Sequence, residues 1–192
     1  NLNRLQPYQI ATRGIARTFQ TIRLFKHMTA LENVMVGAHT RTRGNLWAAL
    51  FRPRWLRVEE EKLKSHANRL LAFFGLSAKA HELARNLPYG HQRKLEIARA
   101  LMLAPRVLLL DEPAAGMNTN EANELNRQIR WLRDHFKLTI VLVEHNMRVV
   151  MGVCDRVQVM DHGETISVGS PAEVQKDPRV IAAYLGQEVA GG

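Results

Sequence analysis

Residues 107–113, Val-Leu-Leu-Leu-Asp-Glu-Pro, constrain the fold most. A short continuous apolar run reads as a strand buried on both faces, the pattern of a parallel sheet covered by helices. The run ends in two adjacent carboxylates, Asp111 and Glu112. In open α/β sheets, ligands bind beyond the carboxyl ends of strands. A carboxylate there can hold Mg²⁺ beside a nucleotide's phosphates, usually through water, and the next can polarise an attacking water. A strand that simply ends in solvated charges accounts for the same residues.

The second half of the chain alternates. A helix is expected over 119–134, with Asn118 as N-cap and Glu121 three positions on. Thr139–Val143 is β-branched and apolar and reads as a second buried strand. A helix over 146–153 follows, then two strands flanking Asp161-His162-Gly163, then a helix opened by Ser170-Pro171-Ala172-Glu173. Such alternation implies a parallel or mixed sheet with helical cover.

The first half is mostly helical. Ala16–Gln20 reads as one strand, and Thr29-Ala30-Leu31-Glu32 opens a helix to about Ala38. Leu63, Ala67, Leu70, Leu71 and Phe74 recur at helical spacing over 58–74, with Gly75 as the stop. A short helix from Ser77 to Ala84 and a longer one over Gly90–Leu103 complete it. The expected organisation is an α/β part over 1–20, a helical subdomain over 21–95, and an α/β part over 96–192.

Charge follows the same division. Residues 1–95 hold 17 Lys+Arg against 5 Asp+Glu, and residues 96–192 hold 10 against 13. The basic half suits a solvated helical face, or the surface of an anionic membrane. Nucleic-acid binding ranks low, because Trp47, Phe51 and Trp55 lie among arginines without an RRM, KH or zinc pattern. Those aromatics, with Leu50, suit either the core of the helical part or a contact with a membrane subunit. At 46% hydrophobic and 23% charged, the chain is of ordinary globular composition, which excludes disorder and collagen-like structure. The longest apolar runs are seven residues, against about 20 for a membrane span. Cys154 stands alone, so no internal disulfide or CxxC metal site exists.

Three further features carry chemistry. Leu87-Pro88-Tyr89-Gly90-His91 precedes an amphipathic helix, where glycine permits close approach and the first N–H groups favour an anion. His145 follows an apolar strand and could bond a phosphate oxygen. Gln20 ends Arg17-Thr18-Phe19-Gln20, and its amide could orient water or touch a metal. Each alone has a plain structural explanation: a turn, a surface histidine, a surface glutamine.

Taken in order, these residues resemble the ATP-binding subunits of ABC transporters over essentially the whole chain. Gln20 matches the Q-loop, Pro88–His91 the signature motif, Val107–Glu112 Walker B, Ala115–Asn118 the D-loop and His145 the switch histidine. Arg23-Leu24-Phe25, LPYGHQRKLEIARA, DEPAAGMN and the tail Ala183-Tyr184-Leu185-Gly186 resemble the branched-chain amino-acid importer branch.

The resemblance implies a P-loop NTPase fold with an inserted helical subdomain, and ATP and Mg²⁺ as ligands. It implies Glu112 as general base, His145 on the γ-phosphate, and Asp111 and Gln20 at the metal. Pro88, Tyr89, Gly90, His91 and Asn118 would meet ATP across a head-to-tail dimer with a second ATPase subunit. Two permease subunits and, indirectly, a substrate-binding protein would complete the assembly at the cytoplasmic face of the membrane.

Departures accompany the likeness. The family's Leu-Ser-Gly-Gly-Gln has Pro88 for serine and Tyr89 for the first glycine, and Asn118 stands for the D-loop aspartate. No G-x-x-x-x-G-K-[ST] occurs in these residues, so by themselves they are expected to bind ATP weakly or not at all and to be inactive. With Asn at position 1 and the first methionine at 28, a fragment lacking the N-terminal part of the fold is the expectation. A non-transport ABC-type ATPase acting on nucleic acid, or a non-catalytic interaction remnant, are the alternatives.

Overall fold

The computed structural model describes residues 2–39 and 54–185. The chain forms two compact units, Asn1–Val143 and Glu144–Gly192.

In the first unit a parallel sheet has the order β1-β2-β3: β1 (Ile15–Arg17), β2 (Val107–Asp111) and β3 (Thr139–Val143). Ala16 pairs with Leu108, and Asp111 with Val143, which aligns the carboxyl ends of β2 and β3. Leu108 and Leu110 are buried, as the apolar run requires. The strand expected over Ala16–Gln20 stops at Arg17, and residues 18–20 run on beyond the sheet edge.

β3 corrects one expectation. It is a strand, but Val141 and Val143 are 48% and 59% exposed. It pairs on one side only among the described residues, and an edge strand leaves one flank to solvent.

The helices of this unit are α1 (Pro7–Thr12), α2 (Ala30–Val36), α3 (Arg54–Phe73), α4 (Tyr89–Leu101) and α5 (Thr119–Phe136). Thr29 and Glu32 form the expected capping box of α2, and Asn118 and Glu121 that of α5. Gly75, at φ +71°, stops the chain after α3. Phe74, Leu71, Leu76, Leu95, Ile97, Leu125 and Ile129 are fully or almost fully buried.

The helix expected over 77–84 is instead two 3₁₀ turns, Ser77–Lys79 and Ala84–Asn86. Leu76, Ala80 and Ala84 are buried at helix-like spacing. However, the carbonyls of Ala80 and Glu82 accept the N–H groups of Leu31 and Ala30. Those acceptors are lost to an α-helix and instead satisfy the orphan donors at the start of α2.

Trp47, Leu50 and Phe51 lie outside the described residues. Trp55, at the start of α3, is half exposed.

The second unit holds α6 (Met147–Val153), an antiparallel hairpin of β4 (Val157–Asp161) and β5 (Glu164–Gly169), α7 (Pro171–Val174) and α8 (Pro178–Val180). Val150, Val157, Val159, Val174 and Val180 form its core. Ser170 and Glu173 cap α7 reciprocally, as their spacing predicts. No described helix is long and apolar enough to cross a membrane.

Candidate active site at the carboxyl edge of the sheet

β2 delivers Asp111 and Glu112 to the carboxyl edge of the sheet. Glu112 is left-handed (φ +44°), and its N–H donates to the Val143 carbonyl at 2.8 Å. A non-glycine residue held in that region costs about 1–3 kcal/mol, and such residues concentrate at functional sites.

β1 supplies the opposing residues. Gln20 donates its side-chain amide to the Glu112 carboxylate at 3.1 Å. Arg17 pairs with Asp111 at 3.0 Å. The Thr18 hydroxyl, fully buried, accepts the Asp111 N–H at 3.4 Å, and the Thr18 N–H donates to the Leu109 carbonyl. Thus Gln20, Asp111 and Glu112, singled out in the sequence, come together.

The signature segment enters α4 with Pro88 at the N-cap, where no side chain caps the helix. Gly90 is buried. A Cβ there would lie 3.1 Å from Glu121 Oε1, so it is the Glu121 side chain that its missing side chain admits. Glu121 Oε2 accepts the Asn118 N–H, and Asn118 Oδ1 accepts the Glu121 N–H, both at 3.0 Å. Asn118 therefore caps α5 in this structure. His91 is partly buried, and its Nδ1 meets no hydrogen-bond partner among the described residues.

His145 belongs to the second unit. Its ring is 72% exposed and lies 4.0 Å from the Glu144 carboxylate, which accepts the N–H groups of both His145 and Asn146.

Four contributors escaped sequence reasoning: Arg17, Thr18, Arg93 and Glu96. Arg93 is fully buried on α4 and pairs with Glu96 at 3.0 Å. Its Nη1 also donates to the Phe19 carbonyl, and its Nη2 to the Gln20 carbonyl at 2.7 Å. Glu96 Oε1 accepts the Arg23 N–H at 3.2 Å. The pair thus grips the backbone of residues 19–23. The only sequence sign was two charges placed among the apolar residues of α4.

Asp111 offers a hard carboxylate oxygen, and Gln20 an amide oxygen opposite the nitrogen bound to Glu112. One carboxylate plus waters is a donor set that suits Mg²⁺. Arg17 bonds one of the two Asp111 oxygens. No cluster of three or more His, Cys, Asp or Glu with metal-holding geometry occurs among the described residues.

Residues 1–115 match the family model described as ABC transporter. The chain is also 44% identical to the high-affinity branched-chain amino acid transport ATP-binding protein LivG of Salmonella typhimurium, over 97% of this chain and 73% of that protein.

The chain belongs to the ABC transporter ATPase family.

Within that family it is similar to BraF of Pseudomonas aeruginosa, another high-affinity branched-chain amino acid transport ATP-binding protein. The identity is 42% over 95% of this chain and 72% of BraF. A second family model, described as Branched-chain amino acid ATP-binding cassette transporter, matches residues 164–190. Among solved structures, MJ1267, an ATP-binding cassette of an ABC transporter, superposes with a TM-score of 0.77 at 31% identity. That match covers 95% of this chain and 73% of MJ1267. The ABC ATPase fold expected from the sequence is therefore the fold observed.

Proposed function

We propose that the chain is the ATP-binding subunit of an importer for branched-chain amino acids, with Glu112 as the general base for hydrolysis. The observation that carries this reading is the Gln20 amide held on the Glu112 carboxylate at the carboxyl edge of the sheet. The substrate class is supported by the similarity to LivG and BraF and by the match of residues 164–190.

In this reading Glu112 takes a proton from the water that attacks the γ-phosphate, and Gln20 orients that water. Asp111 and Gln20 would hold Mg²⁺, which when bound neutralises charge on the phosphate oxygens. His145 contacts the γ-phosphate. Pro88, Tyr89, Gly90, His91 and Asn118 face ATP carried by a second ATPase subunit in a head-to-tail dimer. Two permease subunits anchor the pair at the cytoplasmic face of the membrane, and a substrate-binding protein delivers the amino acid to them. The helical stretch 21–95 forms the subdomain that meets the permease.

These 192 residues contain no G-x-x-x-x-G-K-[ST]. By themselves they bind ATP weakly, because backbone N–H groups and the lysine of that loop supply most of the phosphate contacts. Saturable micromolar binding of Mg·ATP to the isolated chain by calorimetry contradicts this point.

The functional test is uptake. Cells whose branched-chain importer contains this chain take up radiolabelled leucine in an ATP-dependent manner, and His145→Ala abolishes the uptake. Leucine uptake indifferent to this subunit refutes the assignment.

A further inference from the structure

Tyr89 stands where the family's signature has glycine, and it is 45% exposed, so burial does not explain it. Its hydroxyl accepts from Arg93 Nη2 at 3.3 Å, the same nitrogen that donates to the Gln20 carbonyl at 2.7 Å. The guanidinium also lies over the Tyr89 ring, 5.9 Å from its centroid. The ring also sits against Gly116. A Cβ at Gly116 would lie 3.0 Å from Tyr89 Cε1, and Gly116 is held at φ +71°.

We propose that Tyr89 is a positioning residue that ties the first turn of α4 to both the Gln20 segment and the 114–117 loop, so that the three move together. The contacts run Glu112, Gln20, Arg93, Tyr89, Gly116, and the chain returns to Glu112 through residues 113–115. The Arg93 nitrogen is shared. Turning Tyr89 away redirects its remaining bond at the Gln20 carbonyl and shifts the amide resting on Glu112. A ligand pressing on the first turn of α4 therefore reaches the hydrolytic carboxylate through the same subunit.

This inference rests on the ATPase reading for its purpose, but its test needs no nucleotide, so the two fail separately. The ¹⁵N-labelled chain is observed by NMR at three reporters. These are the Arg93 side chain, the Thr21 amide (which shares a peptide unit with the Gln20 carbonyl) and the Gly116 amide. Tyr89→Phe keeps the ring and removes the hydroxyl. It is expected to shift Arg93 and Thr21 while sparing Gly116.

Gly116→Ala pushes on the ring and is expected to shift Thr21 as well. In a Tyr89→Gly background that shift shrinks to what the path through residues 113–115 and Glu112 carries. His91→Ala, in the same turn of α4 but outside the chain of contacts, leaves Thr21 in place. Two results would overturn the proposal. One is a Thr21 resonance indifferent to Tyr89→Phe. The other is a Gly116→Ala effect on Thr21 that is undiminished without the ring. Thermal melts of each variant identify any that lose the fold, and Tyr89→Phe, the mildest change at an exposed position, remains decisive on its own.

Discussion

Gln20 rests its amide on the Glu112 carboxylate at 3.1 Å across 92 residues of sequence. The parallel pairing of β1 with β2 brings the two segments to one edge, and the buried Thr18, just past β1, makes two bonds to the β2 backbone. A hydrogen bond to that carboxylate orients it without removing its capacity to accept a proton. Gln20→Ala in the assembled importer should lower kcat for ATP hydrolysis roughly 10- to 100-fold, with little change in ATP affinity. A rise in KM with kcat intact would assign Gln20 to nucleotide binding instead.

The Arg93–Glu96 pair tests the grip on residues 19–23. Both side chains are essentially buried, so removing one partner strands a charge. Arg93→Ala should destabilise the first unit by about 3–5 kcal/mol, lowering its Tm by roughly 10 °C. It also orphans the Phe19 and Gln20 carbonyls. Hydrogen exchange should then accelerate over residues 19–25. A Tm within a degree or two of the parent would show that the buried pair is not what holds this segment.

Gly90 sets two effects of opposite sign against each other. Alanine in a helix is ordinarily favoured over glycine by about 0.5–1 kcal/mol. Here the added Cβ would crowd Glu121 Oε1 and disturb the carboxylate that closes the α5 capping box, a cap worth about 1 kcal/mol. Gly90→Ala should therefore be neutral to destabilising in the parent chain. In a Glu121→Ala background the crowding is gone, and the same substitution should stabilise. Denaturant melts of the four proteins form the cycle, and an equal effect in both backgrounds would exclude the Gly90–Glu121 contact.

Much of this was legible locally. The capping residues Thr29, Asn118 and Ser170 were readable because each pairs with a glutamate three positions on, within one turn. Asp111 and Glu112 were readable because a buried strand announces its own end. Arg93 was not, since its carbonyl partners lie 73 and 74 residues away and nothing near it in sequence marks them. Arg93 and Glu96, three apart on a helix, read equally well as a surface ion pair. The 3₁₀ turns after Gly75 were missed for the same reason: the N–H donors that claim their carbonyls come from α2. β3 looked buried from its residues, and only the sheet order shows it unpaired on one side among the described residues.

Two capping boxes link stability to acid. The Glu32 carboxyl is held below its ordinary value of 4.5, chiefly by the Thr29 N–H and then by the Thr29 hydroxyl. Glu173 is held low in the same way by Ser170. A depressed carboxylate contributes stability that is present above its unfolded value and lost as pH falls through its folded one. Glu32→Gln should therefore lower the Tm of the first unit at neutral pH. The deficit should shrink as pH falls below 4.5 and both forms become neutral. A deficit that stays constant through the acid range would show that the charge contributes nothing to the cap.

The most direct test of the account is ATP turnover by the assembled importer carrying Glu112→Gln. Glutamine keeps the size of the side chain and cannot accept the proton of the attacking water. The account predicts a fall in hydrolysis of roughly 100-fold or more, with Mg·ATP binding retained and leucine uptake lost. Hydrolysis within a few-fold of the parent would contradict Glu112 as the general base and, with it, the reading of this sheet edge as the hydrolytic site.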